Sequence, residues 1–418
     1  MIDSYIFKPN IDQSKHIIAS YYVKSKDFLK AVKGIAIGQS IGNPDVRTQR
    51  DTPEIMEHNL AKILHSKQYF SLKTEGDVKI AYPLVNFNVP EDGVTQLLCT
   101  LMGGQMDIGI IESCILKDVE LPQDYLQHFK GPKFGIEEIK KRAKSYNRPL
   151  LGGIIKPKTG LTISQLEKMV LELLEGGVDF IKEDEILGNP KFCDFKERVK
   201  RISYLVNDFS SKESREVFYA PCINGDYPYF LERAKFASES GAKAVHLNIW
   251  AGFPAYKALR DLEMPDTAIF FQKSGDRVIT GNRNPYSIDW KVVCKLARMI
   301  GVDFIHAGMW GGYLLDPKEE LTGVMNALRG KNEFKPTIPS LSCGSHPGLV
   351  HTTIKNFGTD LMMNVGGAIQ GHPMGSIAGA RAMRQAFDCY QEGKGIYEYA
   401  KDKPELKVAI EKWGYVSD

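Results

Sequence analysis

The sequence predicts a two-domain α/β protein, with a (β/α)8 barrel over residues 136–418 preceded by a smaller, ferredoxin-like α+β domain over residues 1–135. Three observations carry this prediction. From residue 150 onward, an apolar run and an amphipathic helical pattern alternate eight times. The C-terminal ends of those runs are polar or glycine-rich, although the runs themselves are built from Ile, Val, Leu and Phe. The residues before them show no such rhythm.

In the N-terminal part, residues 17–23 and 78–89 read as strands, and residues 27–37, 52–65 and 91–102 read as helices. That mixture suits a small sheet with helices on one side. The stretch Phe129-Lys-Gly-Pro-Lys-Phe-Gly135 is a turn-rich junction, followed by a helix over 136–145. The eight apolar runs are then 150–158, 179–185, 216–224, 242–250, 267–273, 303–309, 338–344 and 361–368. Between the first two, Ser164-Gln-Leu-Glu167 reads as a capping box opening a helix over 166–174, and the pair Gly176-Gly177 stops it. An open doubly wound sheet would also alternate strands and helices. Eight units and the lack of a G-x-G-x-x-G turn after the first strand favour the barrel.

Composition narrows the class. With 43% hydrophobic and 25% charged residues the chain is ordinary for a soluble globular protein, and 418 residues exceed one small core. A formal net charge of +3 is too mild to imply nucleic acid or an anionic membrane as partner. No apolar stretch reaches membrane-spanning length, and Met1-Ile-Asp-Ser-Tyr5 does not open a signal peptide. The seven cysteines are scattered without a C-x-x-C pair, which fits reduced thiols and a cytoplasmic location.

A barrel carries its chemistry at the C-terminal strand ends. The first run ends in Lys156-Pro-Lys158 and the second in Lys182-Glu-Asp184-Glu185. Lys182 and Asp184 share a strand face, with Glu185 beginning the turn, so hard oxygen ligands converge there as Mg²⁺ requires. A charged strand end dissolving into a solvated loop would look the same in isolation. The other ends outweigh that reading: Gln272-Lys273 on the fifth run, His306 on the sixth, Ser342 and Gly344 on the seventh, Gly366-Gly367 on the eighth. Glycines on the last two strands suit a phosphate cradled by backbone N–H groups. Lys156 suits a general base, since lysine amines crowded by other cations surrender their proton near neutral pH.

Together these residues resemble the large subunit of ribulose-bisphosphate carboxylase, the Rubisco family, over almost the whole chain. The matching motifs are Gly153-Ile-Ile-Lys156-Pro-Lys158-x-Gly160, Gly177-Val-Asp-Phe-x-Lys182-x-Asp184-Glu185, Ile305-His306-x-Gly308, Ser342-x-Gly344 and Gly366-Gly367 followed by Gly371-His-Pro373. The resemblance implies that Lys182 is carbamylated by CO₂ and that the carbamate joins Asp184 and Glu185 on Mg²⁺. It implies that Lys156 moves the proton beside a ketone, and that Ser342, Gly344, Gly366 and Gly367 hold the sugar backbone and one phosphate. It also implies a homodimer or an assembly of dimers.

The departures matter as much. Carboxylases carry a mobile lysine after the sixth strand, where this chain has Tyr313, and a His-Arg pair where it has Gln272-Lys273. The N-terminal acid-and-threonine element used across the dimer aligns with Gly38-Gln-Ser-Ile-Gly42-Asn43, and an expected asparagine is Gly104. The chain is therefore similar to the Rubisco-like branch that does not fix carbon. Members of that branch enolise or isomerise phosphorylated methionine-salvage intermediates, or act on β-keto sugar-acid phosphates, including decarboxylation of 3-oxo-isoapionate 4-phosphate. Because Lys158 is retained, the expectation puts a monophosphorylated β-keto sugar-acid decarboxylase first and a keto–enol isomerase or enolase second, with Lys273 as a cation for a substrate carboxylate and Gln272 at the binding site. True carboxylation comes last.

Overall fold

The computed structural model describes residues 2–417 apart from Arg47, Asp107, Asn282, Tyr313 and Leu314. The chain divides into two compact units, Met1–Lys130 with Gly275–Leu296, and Gly131–Ser274 with Ala297–Asp418.

The first unit is built on β1 (His16–Ser25), β2 (Lys62–Ile63), β3 (Glu75–Pro83) and β4 (Ile111–Glu120), with β1 central and antiparallel to both β3 and β4. The helix Phe28–Gly38 buries Phe28, Ala31, Val32 and Ile35, a stripe at helical spacing, and Asp27 caps it by accepting from Lys30 N. The strand expected to run to residue 89 stops at Pro83, which has no N–H for the ladder, and turns into Leu84–Asn86. The helix expected over 52–65 is only Pro53–His58. Lys62 ends it: its Nζ donates to Met56 O at 2.8 Å and Glu57 O at 3.0 Å, while its backbone pairs opposite Ala81 in β3. β4 was not foreseen, because its charged residues break the apolar alternation even though Ile111, Cys114, Leu116 and Val119 are buried. Gln39 is half-buried, its amide donating to Cys99 O and Thr100 O at 3.0 and 2.7 Å.

In the second unit each of the eight apolar runs holds one strand. These are β5 (Leu150–Ile154), β6 (Phe180–Lys182), β7 (Phe218–Ala220), β8 (Ala244–Asn248) and β9 (Ala268–Gln272). Next comes β10 (Tyr286–Ile288), which belongs to the first unit and pairs parallel with β4 there, followed by β11 (Phe304–Gly308), β12 (Ile338–Leu341) and β13 (Met362–Val365). The barrel strands neighbour one another in the order β7-β6-β5-β13-β12-β11-β9-β8, all parallel. A parallel bridge between Cys222 and His246 closes the ring, with His246 N donating to Pro221 O and Ile223 N donating to His246 O, both at 3.1 Å. The strands are shorter than the apolar runs, so Lys156, Asp184, Glu185, Ser342 and Gly366 stand past the ladder, whereas Lys182, Gln272 and His306 are still on their strands. Proline at 157 is one reason, as it cannot extend β5 past Lys156.

The barrel floor is aromatic. Phe180, Phe218, Phe270 and Phe304 meet with centroids 4.9 to 6.4 Å apart, above a core that includes Leu150, Ala244, Ile338 and Met362. The helix Ile163–Glu175 starts earlier than expected. Its capping box is Thr162 with Gln165, not Ser164 with Glu167. Glu167 is engaged instead by Arg201, whose Nε donates to it at 2.7 Å. Emptying the floor with Phe304→Ala is expected to cost about 3–5 kcal/mol. Urea unfolding monitored by circular dichroism would show a lower midpoint; an unmoved midpoint would mean the floor carries little stability.

Candidate active site

The turn after β6 sorts its charged residues by alternation. Lys182 and Asp184 face the barrel interior and Glu183 faces away. Glu183 is fully engaged there: its carboxylate accepts from Arg198 at 2.7 and 3.2 Å, from Tyr219 OH at 2.5 Å and from Cys222 N at 2.9 Å. Both Glu183 and Arg198 are essentially inaccessible to solvent. Of the three carboxylates legible at this strand end, one is structural and two are left for chemistry.

Those two open into a cavity of about 710 Å³ at the barrel mouth. Lys156 Nζ donates to Asp184 Oδ2 at 2.6 Å, and Lys158 Nζ stands 4.0 Å from Asp184 Oδ1. Both lysines of the Lys-Pro-Lys element therefore lean toward one carboxylate. Lys182 Nζ donates to Glu183 O at 2.8 Å and to Glu185 Oε2 at 3.3 Å. Burial lowers the Lys182 amine below its usual range, against the opposing pull of Glu185, so the free amine is easier to reach than on a surface lysine. Burial works to raise Glu185, but the Lys182 charge and a bond from Ser274 outweigh it and hold the carboxyl well below the usual range. Asp184, Glu185 and the amine of Lys182 could thus gather a hard cation. Among the described residues no three His, Cys, Asp or Glu side chains converge for that purpose.

Glu185 is braced from two sides. Ser274 Oγ donates to Glu185 Oε1 at 2.6 Å, and Gln272 Nε2 donates to Ser274 Oγ at 2.8 Å. Asn224 Nδ2 donates to Glu185 O at 2.6 Å, and Asn248 Nδ2 holds Ser274 O at 3.0 Å. Gln272, expected as a substrate contact, therefore reaches the carboxylate cluster through Ser274 while still lining the cavity.

The opposite wall comes from β11 to β13. Ser342 Oγ lies 2.6 Å from His306 Nε2. Burial, together with the charges of Lys273 and Lys182, pushes the His306 imidazole down to about 3, so it is neutral near pH 7. Gly344 sits at φ +104°, where a side chain would be strained. Gly366 gives Lys156 its room, since a Cβ there would press on Lys156 Cε at 3.3 Å. Gly367 lines the same wall. Lys273 is buried behind the cavity and is not among its lining residues. Tyr313 lies outside the described residues, whereas Gly311 and Gly312 of the same loop line the cavity.

Sequence reading missed Ser274, His346, Asn364 and Trp413, which also line this cavity. Ser274 stands two residues past Gln272, a spacing that could have flagged it. Trp413 comes from the C-terminal helix Pro404–Trp413, far from any strand end, and carried no signal. His346 stacks on it, with centroids 6.5 Å apart. Burial pushes the His346 imidazole from 6.5 down to about 4. Between those values the unfolded chain binds the proton first, so this residue's contribution to stability is complete above about pH 6.5 and is lost as the pH falls toward 4. His346→Gln should therefore flatten the loss of stability between about pH 6.5 and pH 4.5. Urea titrations of both proteins at the two ends of that range would check it; equal losses would remove His346 from the account.

Residues 135–413 match the family described as ribulose bisphosphate carboxylase large chain, catalytic domain, and residues 4–125 match its N-terminal domain. The chain is 35% identical over 408 residues to a ribulose bisphosphate carboxylase of Pyrococcus furiosus, covering 96% of this chain and 94% of that protein. It is 31% identical over 420 residues to a 2,3-diketo-5-methylthiopentyl-1-phosphate enolase of Geobacillus kaustophilus, covering 96% and 98%. The crystal structure of octameric Rubisco from Pyrococcus horikoshii superposes with a TM-score of 0.91 at 30% identity, covering 100% of this chain and 98% of that one. With both domain families matched in order, and a barrel whose polar strand ends gather at one mouth, the chain belongs to the Rubisco large-chain family.

Proposed function

We propose that this protein is an enzyme that moves the proton on the carbon beside the carbonyl of a phosphorylated keto-sugar or keto-acid, interconverting keto and enol forms. One observation carries the reading: Lys156 Nζ stands 2.6 Å from Asp184, in the same cavity as Lys182, Glu185 and the glycines of the last two strands. The Geobacillus relative adds support, because its name specifies enolisation of a phosphorylated diketone. That support places the enolase reading ahead of β-keto acid decarboxylation, which rested on Lys158 and has no counterpart in the names of the relatives above. Lys158 near Asp184 is compatible with either reaction.

In this reading Lys182, as a carbamate, would hold a Mg²⁺ ion with Asp184 and Glu185, and the ion would supply Lewis-acid charge to the substrate. Lys156 takes the proton from carbon or returns it, released from Asp184 once that carboxylate is otherwise engaged. Ser342, oriented by neutral His306, donates to the substrate backbone, and Gly344, Gly366 and Gly367 let main-chain N–H groups approach one phosphate. A homodimer remains part of the proposal.

Lys156→Met is expected to slow exchange of that carbon-bound hydrogen with deuterium by about 10²–10⁴, the usual worth of a positioned acid–base group. Proton NMR on a panel of phosphorylated keto-sugars and keto-acids would measure it. Exchange that survives the substitution would give the proton to another residue. Carboxylation is the second reading, favoured by the 35% identity to the Pyrococcus furiosus enzyme. Labelled bicarbonate fixed onto ribulose bisphosphate would establish it in place of the first. Ser274→Ala removes the brace on Glu185 and should weaken Mg²⁺ binding by about 10-fold, at the low end for lost partners of metal ligands. Calorimetric titration with Mg²⁺ in bicarbonate buffer would read this; unchanged affinity would detach Ser274 and Glu185 from the metal.

A further inference from the structure

Lys182, His246, His306 and Asn364 sit two residues beyond Phe180, Ala244, Phe304 and Met362, which point into the barrel core. They are therefore on the inward faces of β6, β8, β11 and β13, alternate strands of the ring, which contribute to one tier in this architecture. A tier of a barrel interior is ordinarily filled with branched apolar side chains. This one holds an amine, two imidazoles and an amide. His306 uses Nε2 on Ser342. His246, 0% exposed, has a hydrogen-bond partner on neither ring nitrogen.

An imidazole always carries at least one N–H, and burying that group without an acceptor is costly. The Glu183 carbonyl, the acceptor beside both groups, takes its hydrogen bond from Lys182 Nζ at 2.8 Å, and neither ring nitrogen of His246 is bonded to it. A protonated Lys182 offers His246 no acceptor, because an ammonium only donates.

We propose that His246 is a positioning residue whose ring N–H binds the carboxylate that forms on Lys182 when this lysine takes up CO₂. The proposal rests on the carbamate reading above and adds to it the group that holds the carbamate. In that step the lone pair of neutral Nζ forms a bond to the carbon of CO₂. One C=O π pair moves onto oxygen, and the displaced N–H proton leaves to solvent. The product carries one negative charge and new acceptor oxygens inside the tier, where the N–H of His246 has none otherwise. Held from the β8 side, the carbamate can turn its other oxygen toward Asp184 and Glu185.

The test uses the full-length protein in ¹³C-labelled bicarbonate with Mg²⁺, and reads the carbamate carbon by NMR rather than turnover. Lys182→Ala identifies the resonance. His246→Phe, which keeps a planar ring but no donor, should raise the bicarbonate concentration for half-maximal signal by about tenfold, the scale of one charge-assisted hydrogen bond. His246→Gln, which restores a donor but not the ring, should recover most of that loss, whereas a purely packing role would leave it no better than His246→Phe. Equal half-saturation in wild type and His246→Phe would overturn the role of His246 and leave the carbamate standing. A wild-type protein with no Lys182-dependent resonance would overturn the carbamate reading, and this proposal with it.

Discussion

The anchoring of Glu183 governs the rest of the site. β6 is only three residues long, too short for its own ladder to dictate which way the following side chains point. The buried contact with Arg198, Tyr219 and the Cys222 backbone does so instead. With Glu183 drawn outward, alternation sends Lys182 and Asp184 inward. A buried ion pair of this kind adds little net stability over an apolar packing, but breaking one partner leaves an uncompensated charge. Its main effect here is directional.

Above that anchor, charge is distributed so that each ionised group at the mouth has a neighbour able to exchange roles. Asp184 faces two lysines, Glu185 faces one lysine and a serine, and the neutral imidazole of His306 faces a hydroxyl. Beneath them lies the aromatic floor, and burial draws the Lys182 amine toward its neutral form. Low-dielectric surroundings strengthen each of these contacts and raise the cost of any that is left unmade.

Glu185 is set by its neighbours. Gln272 ends β9 and Ser274 follows two residues later, and together they form a chain of two hydrogen bonds ending on the carboxylate. Asn224 ties the Glu185 turn to the end of β7, and Asn248 ties Ser274 to β8. Three neighbouring strands thus set one side chain.

Much of this was written in the one-dimensional pattern. Apolar runs of strand length, each followed by a helical repeat, indicate a parallel sheet, because a strand buried on both faces reads as a continuous apolar run, and the count of eight favours closure. The period of two then brought the inward residues of those runs to one mouth, so Lys156, Lys182, Asp184, His306 and Ser342 could be named before any coordinate was known. Tertiary structure alone decided the fate of residues whose role depends on a neighbour remote in sequence. Glu183 reads as one more carboxylate at a strand end until Arg198 claims it, and β4 hides because its charges mask the alternation that pairing with β1 reveals. Trp413 reaches the cavity from the last helix, and Lys62 ends a helix that propensity would have continued. Periodicity reports which face of an element is buried, whereas these four outcomes depend on what lies against that face, and that is a property of packing between distant segments.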